Sequence, residues 1–421
     1  MSGFLLFLLG CAAGSGVNWA IYRLAILNPT AVSPWSRVRD ADRRWVDVLP
    51  VVGWWSQRRL SGRFGSGFWV RPLLIELGCG AAAPLLRWGI SDGMLTASAS
   101  FVLPPVPLSQ QWIWWASYYS LLLLLTAATF IDFDEKTIPD EITLTGTLLA
   151  LLAALLVPET RLPDVHLSNP GLKLGSLHYA SPFDSPTWPL ESRGLALCLA
   201  VVSIWMFALA PKRVTWRFGG QRGLGLLWAS IIRPARRTAM GRPRRMFGYT
   251  KLLLGLGVVL IGLTVVAHAR GGPAWERLFS ALMGLGFGGG IVWSVRLIAG
   301  GALGREAMGF GDVTLMGMIG AWLGWQPALL AFAFAPFAAL LIAVTQLVIS
   351  RHTEIAFGPY LSLGAAGVLV TWGPLWHDWA KFEVFSLGPI LLAITVVCLG
   401  LMAGMLFGWR KLKERLWAAE E

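Results

Sequence analysis

The chain has 421 residues, of which 55% are hydrophobic and only 14% charged, against about 25% charged in a soluble domain. That balance excludes an ordinary water-soluble protein of two or three domains, which length alone would suggest. The net charge of +12 does not mark a nucleic-acid binder, because the basic residues fall between apolar runs, where they report membrane topology and contact with anionic lipid.

A run of about 20 apolar residues spans a bilayer, and in lipid such a run must be helical to satisfy its own backbone. The expected fold is all-α, a polytopic transmembrane helix bundle of about 11 spans, with nine as the lower count. In chain order the spans are 3–27, 72–89, 111–131, 141–157, 193–210, 251–268, 277–300, 312–324, 327–350, 359–373 and 388–408. The first is too long for a signal-peptide core and lacks a basic leader and cleavage site, so it is expected to be retained. The 23 tryptophans suit membrane interfaces. Cys11, Cys79, Cys198 and Cys398 each stand alone in an apolar run, so neither a zinc site nor a disulfide framework is expected.

Charge sets the orientation. The stretch 28–71 carries Arg37, Arg39, Arg43, Arg44, Arg58, Arg59, Arg63 and Arg71. The stretch 211–251 is rich in Lys and Arg with no acid, and the tail carries Arg410, Lys411, Lys413 and Arg415. The positive-inside rule puts all three in the cytoplasm. Eleven spans then leave the N-terminus outside and the C-terminus cytoplasmic. No internal repeat suggests a transporter with duplicated halves.

The same topology puts two acidic segments at the cytoplasmic face. The first runs from Phe130 through Asp132, Asp134, Ile138 and Pro139 to Asp140. Asp132 directly follows the apolar run, where partial desolvation penalises a charged carboxylate. Ionisable groups at membrane depth are functional candidates. The plainer alternative is that Asp132 and Asp134 end the span among solvated headgroups. Asp140 follows Pro139 and precedes a helix, which suits an N-cap. The second segment reads Met308-Gly309-Phe310-Gly311-Asp312-Val313. Its two glycines permit backbone geometry that other residues resist, or close approach of another backbone; its alternative is an N-cap Asp312 after a glycine turn.

Asp132 and Asp312 are more informative as a pair. Two carboxylates that meet in a bundle cannot both ionise easily, so they share a proton. One can take a proton from water while the other donates to a scissile carbonyl. No metal ligand and no nucleophilic side chain is required. An HExxH motif is absent from the sequence, as is a GxxxxGK[ST] phosphate-binding loop.

At these residues the chain resembles the prepilin peptidase family, membrane aspartic proteases of the GxGD type. The resemblance rests on Asp132 ahead of Ile138-Pro139-Asp140, on Gly309-Phe310-Gly311-Asp312, and on the string 304–325. It extends to 14–24, to Asp47-Val48-Leu49-Pro50, to Arg71-Pro72-Leu73-Leu74-Ile75-Glu76 and to Phe357-Gly358-Pro359-Tyr360. It implies Asp132 and Asp312 as catalytic pair, supported by Gly309, Gly311, Pro139 and Asp140. It implies cleavage of the leader from type IV prepilins or type II secretion pseudopilins at the cytoplasmic face of the bacterial inner membrane. Prepilin or pseudopilin substrates and membrane lipids are then the partners, with no nucleic acid.

No cofactor is implied for proteolysis. Many members also methylate the new N-terminus with S-adenosylmethionine. The first cytoplasmic loop here lacks the two CxxC pairs that many members carry, which leaves that second activity open. The resemblance divides the chain into an N-terminal half at 1–155, an insertion at 156–276 with its basic loop 211–251, a C-terminal half at 277–373, and an added span and tail at 374–421. A presenilin-like protease disagrees with the cytoplasmic placement of both aspartates. A non-catalytic scaffold or transporter is the reading from another class, although transporters place charges mid-span.

Overall fold

The computed structural model describes residues 2–24, 44–96, 105–157, 159–168, 171–209, 243–303, 308–349 and 356–417. Arg37, Arg39, Arg43, Arg305 and Glu306 lie outside the described residues, as does the basic stretch 211–251 up to Pro243. Each expected span corresponds to a helix. These are α1 (Gly3–Leu24), α2 (Val70–Ser91), α3 (Leu108–Glu135), α4 (Asp140–Leu156), α5 (Ser192–Ala208), α6 (Pro243–Arg270), α7 (Gly272–Leu303), α8 (Phe310–Leu323), α9 (Trp325–Ile349), α10 (Gly358–Val370) and α11 (Pro389–Trp417). Among the described residues, α1, α2, α3 and the apolar parts of α6, α7 and α11 are long and apolar enough to cross a membrane; α5, α8, α10 and the first part of α9 are shorter apolar helices. The architecture is an all-α membrane helix bundle.

Helices in lipid associate by close packing rather than by expelling water, so small residues gather where they touch. The most extensive contact is α7 with α8. A side chain on Gly284 would overlap the Gly320 carbonyl, and one on Gly320 would overlap that of Gly284. The two backbones are in direct contact, and α8 is fixed against the longest helix described. All of α8 from Asp312 to Leu323 is buried. Around this pair, α4 packs on α8, α10 on α3 and α9, and α1 on α2.

The ends of the bundle differ. At one end the last turn of α3 and the starts of α4, α8 and α10 converge. At the other, β1 (Pro163–Ser168) and β2 (Gly171–Ser176) form an antiparallel hairpin with Pro163 opposite Ser176. The composition of this stretch, rich in Pro, Ser and Asp, does not by itself mark a hairpin. The hairpin locks onto the segment after α10. Asp164 is fully buried and accepts bonds from Lys381 Nζ (2.8 Å) and Trp376 Nε1 (2.9 Å). Trp372 donates to the Pro163 carbonyl (2.9 Å) and stacks on Trp376 at 5.0 Å. The stretch that follows α4 and the stretch that follows α10 thus meet in one cap.

Candidate active site

The span expected to end at residue 131 continues as helix α3 to Glu135. Asp132 therefore lies inside the last turn rather than beyond it. Helical spacing turns Ala128, Ile131, Asp132 and Glu135 inward and leaves Phe133 62% exposed. Lys136 ends the helix in the left-handed region, with φ 53°, and its N–H donates to the Asp132 carbonyl at 2.8 Å. Arg71 of α2 steadies this turn. It donates to Asp134 (2.7 Å) and to the Phe130 carbonyl (3.1 Å), and its guanidinium lies 4.8 Å from the Phe130 ring centre. Asp134 is occupied by that ion pair.

The Asp132 carboxylate is 4% exposed. Its Oδ2 accepts the N–H of Gly358, the first residue of α10, at 3.0 Å. A Cβ on Gly358 would stand 2.6 Å from that oxygen. Glycine is thus required by proximity to the carboxylate.

Asp312 lies in the first turn of α8 and is 6% exposed. The cap position belongs to Gly309, so Asp312 is not the N-cap; its carboxyl is instead tied back to the Gly309 N–H. Gly309 has φ −66°, open to any residue, so unusual backbone geometry is not its reason. Gly311 is explained by close approach: a Cβ there would stand 3.0 Å from the backbone N of Ile138 and 2.9 Å from its Cβ. Arg296 of α7 holds the turn before α8, donating to the Met308 carbonyl (3.0 Å) and lying 5.6 Å from the Phe310 ring centre.

Pro139, rather than Asp140, takes the N-cap position of α4, and Asp140 begins the helix. An anion in the first turn still suits the positive end of the helix dipole. Ile138, which in the sequence counts only as part of the Ile138-Pro139-Asp140 step, is the joint between these turns. Its backbone lies against Gly311, and its Cδ1 would meet a Cβ on Gly358 at 2.8 Å. Asp132 and Asp312 are brought within reach of each other's charge. Two such carboxylates, each held by one backbone N–H and shielded from water, are suited to sharing a proton. Among the described residues no three His, Cys, Asp or Glu side chains converge as a metal site requires.

Residues 247–344, which include Asp312 and the α7–α8 pair, match the model of the type IV leader peptidase family. This part of the chain is thus similar to the type IV leader peptidase family. Three curated relatives bear the name prepilin leader peptidase/N-methyltransferase. The Pseudomonas putida protein is 29% identical over 169 residues, 39% of this chain and 56% of the relative. The Pseudomonas aeruginosa protein is 34% identical over 117 residues, 27% of this chain and 39% of the relative. That of Escherichia coli K12 is 33% identical over 114 residues, 26% of this chain and 49% of the relative. The chain thus spans about half the length of these relatives or less. No solved structure matches it. In the sequence, Gly358 and Arg71 stand out only as parts of segments that carry the resemblance. Neither had a sequence signal for its contact with the Asp132 turn, because both contacts join residues far apart in the chain.

Proposed function

We propose that the chain is a membrane aspartic endopeptidase that removes the leader from type IV prepilins or type II secretion pseudopilins at the cytoplasmic face of the inner membrane. The observation that carries this reading is the convergence of Asp132 and Asp312, from separate helices, at one end of the bundle. One carboxylate of the pair takes a proton from water, and the water attacks the scissile carbonyl. The other donates its proton to the carbonyl oxygen; on collapse it recovers that proton from the gem-diol, while the first passes the proton it took from water to the leaving amine. The names of the relatives support the substrate class.

Methyl transfer would need S-adenosylmethionine, and the relatives' names carry that activity beside the peptidase. The two buried acids of the first loop region are already engaged: Asp47 with Arg59, and Glu76 with four donors.

The test is cleavage of a prepilin substrate in proteoliposomes by the wild type, Asp132→Asn and Asp312→Asn. Each variant is expected to lose cleavage by roughly 10²- to 10⁴-fold, the usual worth of general acid–base groups, with thermal stability retained. Wild-type rates in both variants would overturn the assignment.

A further inference from the structure

We propose that residues 45–69 are not a loop standing in the cytoplasm but a re-entrant segment set into the cytoplasmic leaflet, where it contacts acyl chains and anionic headgroups. The observation that points there is depth. The segment is anchored at Glu76, which is fully buried. Its carboxylate accepts Ser15 Oγ (2.6 Å) and Asn18 Nδ2 (3.2 Å) from α1, and Trp54 Nε1 (2.8 Å) and the Val51 N–H from the segment itself. Glu76 lies about 8 Å along α2 from Arg71, and Asn18 and Ser15 lie about 9 and 13 Å back from the end of α1. The turn at Val51 is therefore folded inward beside two spans, at the depth of an interfacial helix, about 5–10 Å.

Backbone at that depth must be satisfied by protein, and it is. Val51 adopts φ 63°, ψ −60°, a strained conformation for a β-branched residue. The Val52 N–H bonds back to the Pro50 carbonyl at 2.6 Å, which closes a tight γ-turn. The Glu76 carboxylate holds the N–H of Val51 itself. Asp47, 2% exposed, is clamped by Arg59 and by the Arg44 N–H. Burial would push this carboxyl up, but those donors and Ser56 outweigh it and hold it down at about 2.

What this turn displays is apolar. Leu49 is 42% exposed, Val52 51%, Trp55 53% and Trp45 78%. The charge around that face has one sign. Residues 44–71 carry Arg44, Arg58, Arg59, Arg63 and Arg71 with Asp47 as their single acid, and Asp47 is consumed by Arg59. The Arg58 guanidinium lies 4.6 Å from the Trp55 ring centre, an aromatic–cation pair suited to the headgroup layer. Beyond Gly67 and Val70, an apolar groove of about 470 Å³ continues between α2 and α3 past Gly78 and Ala82. Its lining is largely apolar, which suits an acyl chain.

The test places nitroxide labels at Leu49→Cys, Val52→Cys and Ser66→Cys in the full chain with Cys398→Ser. The protein is reconstituted in bilayers containing phosphatidylglycerol, without substrate. Labels at 49 and 52 are expected to collide with oxygen and be shielded from a water-soluble nickel chelate, with the reverse at 66. Free access of the chelate to 49 and 52 would show a water-facing docking surface and overturn the proposal. For the charges, Arg58→Gln with Arg63→Gln is expected to lower the enrichment of phosphatidylglycerol over phosphatidylcholine in co-purified lipid by roughly fivefold or more. Unchanged enrichment would overturn the headgroup part.

Discussion

At the scale of single residues, the site depends on what is missing as much as on the two acids. The glycines flanking Phe310 attract notice in the sequence, yet only Gly311 owes its identity to a contact within this chain, the close passage of Ile138. Gly358 carries no such motif, but its N–H is a direct partner of Asp132. Replacing it with alanine keeps that N–H and adds a methyl where the carboxylate oxygen and Ile138 Cδ1 now stand. The carboxylate must then shift relative to Asp312. A displacement near 1 Å can reduce turnover by about 10². Gly358→Ala is therefore expected to lower kcat by roughly that factor while KM stays within about twofold. Steady-state kinetics on a leader peptide substrate checks this, and a change confined to KM would place Gly358 in substrate binding instead.

At the scale of elements, the helices were legible because lipid leaves an apolar run no alternative to internal hydrogen bonding. Their ends were less so. Apolarity stops at Ile131, but α3 continues for another turn because Arg71 and the Lys136 turn hold it. The hairpin was not legible. Its strands are short and polar, and they are fixed by partners some 210 residues away. Asp164 and Lys381 make that link across a buried ion pair, with the lysine side chain 12% exposed. Removing one partner of such a pair leaves an uncompensated charge and costs about 3–5 kcal/mol. Asp164→Asn and Lys381→Met are each expected to lower the unfolding temperature in detergent markedly. The double variant should lose less than the sum, because neither charge is then stranded. Cleavage at low temperature should persist in all three, since the cap lies at the far end of the bundle from Asp132. Additive losses in the double variant would show that the pair is not coupled.

At the scale of the whole molecule, span counting and packing both bear on which turns share one end. Counting spans from the basic stretches puts the turn after α3 and the turn before α8 on one side, because four helices separate them. The fold brings those same turns together at one end and the hairpin cap to the other. Packing puts those turns at one end, and from the positive-inside rule we propose that this end faces the cytoplasm. Residue-by-residue labelling checks the assignment. Ser185 lies exposed in the cap and Lys136 lies exposed beside the Asp132 turn. In a background lacking Cys398, Ser185→Cys is expected to react with a membrane-impermeant maleimide in spheroplasts. Lys136→Cys should react only after the membrane is opened. The opposite pattern would invert the molecule. It would remove Asp132 and Asp312 from the compartment in which a cytoplasmic leader could reach them, and the proposed substrate would fall with it.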